Sequence, residues 1–142
     1  MNQTFPSQVD LLAAAESLTE TWSPRVVARV NDQFVKVAKV HGVLAWHCHA
    51  NEDELFFILK GRPRIEYQDR PHVEIAAGSI HVVPRGVMHN PVAEEECLLA
   101  LVETVTTKHT GDVVVDKTRT LEEQLGPVEV AASQTTLRLM RR

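Results

Sequence analysis

The chain has little of what several protein classes require. Its longest strictly apolar run, residues 97 to 102, is six residues long, against roughly 20 for a membrane-spanning helix, so no membrane segment is expected. Its two cysteines, Cys48 and Cys97, stand in separate segments without a CxxC interval, which excludes a disulfide scaffold and a zinc ribbon. No Lys or Arg occurs in the first 24 residues, so the charged start of a secretory leader is missing. These absences predict a soluble, unexported protein of the reducing cytoplasm. Positive charge is not in excess either: 15 Lys and Arg against 19 Asp and Glu leave a net charge of −4. Nothing resembles the basic stripe that neutralises phosphates, and nucleic acid is excluded as a partner. There is no repeat and no low-complexity linker.

With 142 residues, 44% of them hydrophobic and 24% charged, the chain suits one globular domain able to bury a core. Ser7-Gln8-Val9-Asp10 has the form of a capping box, and Val9, Leu11, Leu12, Ala15 and Leu18 follow at helical intervals, predicting a short N-terminal helix. From Arg25 the pattern becomes β-rich, with runs at 26 to 30, 34 to 40, 43 to 49, 55 to 59, 64 to 67, 73 to 76, 80 to 83 and 98 to 106. Turn signals separate them, among them Asn31-Asp32, Gly61-Arg62-Pro63, Ala77-Gly78 and Pro84-Arg85-Gly86. Eight strands so spaced predict an all-β sandwich or barrel. Val113-Val114-Val115 reads as a further strand, and Thr120-Leu121-Glu122-Glu123, stopped by Gly126-Pro127, as a short helical turn. The expected division is an N-terminal helical arm at 1–24, a β-barrel at 25–116 and a C-terminal helical turn and tail at 117–142. Residues 133 to 142 read as a strand packed on a partner or a frayed tail.

The chemistry concentrates in residues 41 to 90: His47-Cys48-His49, then Glu52-Asp53-Glu54, then His89. On a strand, residues two apart project from one face with Cα atoms roughly 7 Å apart. His47 and His49 can therefore form half of a metal site, with Cys48 pointing away. The same period puts Glu54, Phe56 and Ile58 on one face and Leu55, Phe57 and Leu59 on the other.

The interval Gly42-x4-His47-x-His49-x4-Glu54-x6-Gly61 resembles the first motif of the cupin superfamily, and Gly78-x5-Pro84-x-Gly86-x2-His89 resembles the second. Together they cover residues 42 to 93. The resemblance, to a small single-domain cupin, implies a double-stranded β-helix of the jelly-roll type whose interior can hold a ligand. It also implies four metal ligands: His47, His49, Glu54 and His89. Three neutral imidazoles and a carboxylate suit one divalent first-row ion, iron, manganese, nickel, cobalt or zinc, and on an octahedral ion leave two positions open. Glu54 is preferred to Glu52 and Asp53 because it alone satisfies the intervals from His49 and to Gly61. The chain departs from the family pattern in the interval from Gly42 to His47, in Ser79 and in Ala93. None of these is a ligand position.

The expected function is a small metalloenzyme of dioxygenase, isomerase or decarboxylase type acting on a small organic molecule. The alternative is a non-catalytic cupin that binds or senses a small ligand. A third reading, metal-independent sugar epimerisation with a histidine base, leaves Glu54 without a role. His41, His72 and His109 have no assigned part, and His81, within the strand before the Pro84 turn, reads first as an outward residue and second as one that reaches the pocket. Glu103 is a candidate to brace a ligand from behind, Phe56, Ile58 and Tyr67 to line the barrel, and Glu94-Glu95-Glu96 to form a hairpin tip. The apolar outward face of Leu55, Phe57 and Leu59 needs covering, which predicts a homodimer.

Overall fold

Alternating inward and outward residues build one curled antiparallel sheet. The computed structural model describes residues 4–128, so the tail at 133 to 142 lies outside the described residues. Strands β1 (Arg25–Val30) and β2 (Gln33–Val43) form a hairpin. Its turn uses Asn31 at φ 52°, a left-handed conformation that asparagine tolerates. They are followed by β3 (Glu54–Lys60), β4 (Arg64–Tyr67), β5 (Val73–Glu74), β6 (Ile80–Val83) and β7 (His89–Thr104). The order is β1-β2-β7-β3-β6, with β4 joined to both β7 and β5. Strand β7 organises the sheet. Its first residues pair with β4 and the end of β2, and its later ones with β2 on one side and β3 on the other. Ala38, Val40, Phe56, Ile58, Ile65, Tyr67, Leu99 and Leu101 fill the interior.

Helix α1 (Leu11–Glu16) forms as expected, but Asp10 rather than Ser7 caps it, its carboxylate accepting from the Ala13 N–H at 3.1 Å. Ala14, Ala15 and Leu18 pack on Val37 and Leu98 from outside the sheet, with Leu59 at the edge of the same cluster. The chain thus covers with its own helix part of the face assigned to a dimer. Leu55, Phe57 and Val102 stay half-buried, and their register neighbours on β6, Ile80 and Val82, are 60% and 43% exposed. Helix α2 (Leu121–Gln124) carries the expected capping box between Thr120 and Glu123. Among the described residues no helix is long and apolar enough to cross a membrane.

Three local expectations are corrected. The run at 43 to 49 is not a strand of its own. Gly42 takes φ 87° at an irregularity in the β2–β7 register, regular pairing stops at Val43, and 44 to 49 keeps one isolated bridge, His47 to His89. Glu94, Glu95 and Glu96 are exposed but lie mid-strand, where β7 bulges between Ala93 and Cys97. The apolar pairs on either side carry the strand through them. Val113 to Val115 form no strand, having no pairing partner, and Val114 is 83% exposed.

Gly61 ends β3 at φ 93°, and a Cβ there would lie 2.5 Å from the Cys97 sulfur. Gly61→Ala is therefore expected to cost roughly 2–4 kcal/mol in urea unfolding, from backbone strain plus overpacking. Adding Cys97→Ala relieves the clash with sulfur but not the strain, so the double variant should recover part of that loss. No recovery at all would contradict the packing account.

Candidate metal centre

Main-chain hydrogen bonds assemble the centre. The N–H groups of His47 and His89 each donate to the other's carbonyl, both at 2.9 Å. Leu44 N–H donates to the Pro91 carbonyl at 3.1 Å, and Gly86 N–H to the His49 carbonyl at 2.8 Å. The irregular segment 44 to 49 is thereby pinned against the turn and strand start at 86 to 91. The three imidazole centroids lie 5.0 Å (His47 to His49), 4.4 Å (His47 to His89) and 5.7 Å (His49 to His89) apart. Glu54, first residue of β3, enters from the adjoining strand, its Oε1 3.6 Å from His49 Nε2 and 3.7 Å from His89 Nε2. One donor atom from each of the four residues lies within 4.8 Å of all the others, and all four residues are buried.

Local hydrogen bonds set the imidazole tautomers. His47 Nδ1 lies 2.8 Å from the Ala45 carbonyl and His89 Nδ1 3.0 Å from the Val87 carbonyl. A carbonyl only accepts, so each Nδ1 carries the proton and each Nε2 keeps its lone pair. Both ring nitrogens of His49 and Nε2 of His89 are buried without a hydrogen-bond partner among the described residues. Each such atom costs about 1–3 kcal/mol. A cation shared by these nitrogens and the Glu54 carboxylate would offset that cost, so the residues fit a metal ion by both position and chemistry.

The carboxylates nearby are differentiated. Asp53 accepts from the Arg85 backbone N–H at 2.8 Å and also meets its guanidinium. Glu52 accepts from the Thr106 hydroxyl at 2.9 Å. Neither reaches the imidazoles. Burial alone would raise the Glu54 carboxyl, but the close approach of His49, His89 and Glu103 holds it well below the usual range. Glu103 moves the other way, raised by burial and by the negative charge of Glu54. It occupies the interior face of β7 beside Glu54, one step along the register that pairs Leu55 with Val102.

Sequence reasoning missed two residues. Lys36 is 1% exposed, its Nζ 2.6 Å from Glu103 Oε1 and donating to Gln124 Oε1 at 2.5 Å. The signal was available, since Lys36 shares the face of Phe34, Ala38 and Val40, all of them apolar. His109, beyond the last strand, reaches the centre through tertiary packing that no local interval encodes. Burial pushes its pKa down to about 4, and burial and the neighbouring His89 do the same to His47. His81 is also corrected. It lies opposite Phe56 on the interior face, 2.7 Å from the Tyr67 hydroxyl. His41 and His72 are exposed. A cavity of about 40 Å³ adjoins the centre, walled by Trp22, Phe56, Ile65 and Leu101 with His47, Glu54 and His109 as its ionisable groups. That holds two or three waters or the reacting end of a small molecule.

A model of the cupin domain matches residues 33–105. An uncharacterised Bacillus subtilis protein, YdbB, is 32% identical over 80 residues, 56% of this chain and 71% of that one. A cupin-2 domain protein of Shewanella frigidimarina superimposes with a TM-score of 0.59 at 40% identity, over 61% of this chain and 84% of that chain. A Neisseria meningitidis protein does so with a TM-score of 0.64 at 28% identity, over 69% and 99%. The matched fold is the double-stranded β-helix.

The two lowered imidazoles set an acid response. Between pH 6.5, the unperturbed value, and about 4, the unfolded chain takes up protons that folded His47 and His109 refuse. Stability of the metal-free protein should therefore fall as pH falls through that window, by about 1.4 kcal/mol per pH unit for each group. His109→Gln removes one contribution, so urea unfolding across pH 4 to 6.5 should show a shallower slope than wild type. An unchanged slope would rule out His109 as a contributor.

Proposed function

The chain belongs to the cupin domain family, and from its four buried donors we propose that it is a metalloenzyme acting on a small organic molecule, of dioxygenase, isomerase or decarboxylase type. The observation that carries this is the set of buried nitrogens on His49 and His89 without hydrogen-bond partners, gathered round Glu54. A divalent first-row ion held by His47, His49, Glu54 and His89 supplies Lewis-acid or redox chemistry when bound. The chain's own residues do the rest. Ala45 and Val87 carbonyls fix the ligand tautomers, and Glu103 with Lys36 braces Glu54 from behind. The apolar cavity wall restricts water. The Tyr67–His81 pair stands beside the centre, the Tyr67 ring 6.4 Å from that of His89, and can hold or pass a proton. A wall of Trp22, Phe56 and Leu101 offers little to a sugar's hydroxyls, which disfavours the epimerase reading.

Protein purified anaerobically should carry close to one equivalent of a first-row metal by mass spectrometry. Glu54→Gln and His89→Ala should each weaken metal binding a hundredfold or more. Glu103→Gln, a change behind Glu54 rather than in one of the four proposed ligands, should weaken it about 10- to 100-fold. Metal-free protein that takes up none of the five candidate ions would overturn the reading.

We further propose a homodimer packed through the outward face of β3 and β6. The exposed Ile80 and Val82 beside half-buried Leu55 and Phe57 support it. Sedimentation should show a dimer that Ile80→Glu with Val82→Glu dissociates. A lone 15.9 kDa species for wild type at micromolar concentration would refute it.

A further inference from the structure

The segment that follows β7 leaves the region matched by the cupin domain model and folds back over the metal centre. Thr107 and Thr110 are buried in it. At Gly111, φ 60°, a Cβ would lie 2.1 Å from the carbonyl oxygen of Cys48, the residue between ligands His47 and His49. Lys117 Nζ donates to the Val43 carbonyl at 2.5 Å, and Gln124 meets Lys36. The strap is therefore packed directly on the ligand-bearing segment. One side chain from it enters the cavity wall, His109.

The state of that ring follows from geometry. The Arg119 backbone N–H donates to His109 Nδ1 at 2.9 Å. An amide N–H cannot accept, so Nδ1 holds a lone pair, the ring is neutral and the proton sits on Nε2. Burial acts in the same direction. No hydrogen bond to His109 Nε2 occurs among the described residues. The other N–H in the wall with a fixed direction, the Trp22 indole, is already donated to the His41 carbonyl at 2.8 Å. Glu54 and the Nε2 lone pair of His47 can only accept. The cavity thus offers an apolar wall, a cation position and one neutral donor.

We infer that His109 is a ligand-contacting residue of this cavity, its Nε2–H holding an oxygen of a small, mostly apolar carboxylate or carbonyl compound beside the metal position. The inference rests on the metal reading above and goes beyond it by naming the ligand class and the residue that selects it. A neutral donor suits an oxygen acceptor whose charge is already met by the cation. An ammonium, which only donates, would gain no partner from it.

The test uses the full chain loaded with Co(II), whose visible spectrum reports ligand entry, and two probes, butyrate and 1-propanethiol. Both can reach an open metal position through a donor atom on a short alkyl chain, but only butyrate brings a second oxygen for His109. His109→Phe should weaken butyrate about 10- to 100-fold, the range for a hydrogen bond to a charged group. Its affinities for Co(II) and propanethiol should stay within about threefold of wild type. His109→Gln, which keeps an N–H, should restore most of the butyrate affinity. His109→Ala repeats the comparison where Phe is too large to fold. Equal loss of both probes, no loss of butyrate, or a wild type indifferent to butyrate overturns the inference while leaving the metal reading standing. Failure to take up Co(II) at all sinks both.

Discussion

The reciprocal hydrogen bonds between His47 and His89 are the constraint on which the centre depends. They join residues 42 positions apart in the chain and do so at main-chain level, before any side chain is considered. Both residues lie at the edge of regular structure: His47 is just past the end of β2 and His89 opens β7. A continuous strand through 43 to 49 would have given His47 and His49 a common flat face. The observed segment, pinned at single points to 86 to 91, instead sets their rings edge to face at 89°. Rings so inclined can turn their Nε2 atoms toward one point, with the departure from the ladder at Gly42 placing them.

Burying this much polar chemistry in a small barrel is expensive unless charges are balanced. The interior face of the sheet answers with a row across three strands: Lys36 on β2, Glu103 on β7, Glu54 on β3. Glu103 takes the charge of Lys36 on one side and faces Glu54 on the other, so the two carboxyls are driven apart in acidity. Gln124 closes the row from α2, accepting from Lys36 and donating to the Arg119 carbonyl at 3.1 Å. Gln124 supplies the buried Lys36 ammonium with a second acceptor beside Glu103, which ties the short C-terminal helix to the electrostatics of the centre although it touches none of the four clustered residues.

What was legible in the sequence follows the range of the physics involved. The inward set Glu54, Phe56, Ile58 is a period-two pattern within one strand, and the structure buries all three. The Thr120 capping box is local to one turn and forms as expected. The choice of Glu54 over its acidic neighbours rested on motif intervals, and its reason is visible in space, where Arg85 and Thr106 occupy Asp53 and Glu52. The misreadings share a cause. Glu94 to Glu96 look like a loop because three adjacent charges usually are one, yet pairing on both flanks carries the strand through them as a bulge. Val113 to Val115 look like a strand because β-branched residues favour one, but propensity without a partner edge makes none. Nothing near His109 in sequence points inward, and His81 reads outward before it reads toward the pocket; only the register of β6 on β3 and the fold of the strap put them where they are.

The two histidine groups thus encode different things. His47, His49 and His89 lie within the part of the chain that matches the cupin model, and their geometry is supplied by barrel strands and their flanking turns. His109 lies outside it, and its geometry is supplied by a glycine that fits only because it has no side chain and by a backbone N–H ten residues on. A cation site asks for several donors at short mutual distances and is satisfied by the barrel. Discrimination among organic ligands asks for a wall of particular shape with few, well-directed polar atoms, and in this chain a share of that wall belongs to the strap. On the proposed reading, change in the strap would alter the choice of ligand without disturbing a bound ion, provided the contact of Gly111 with Cys48 is kept.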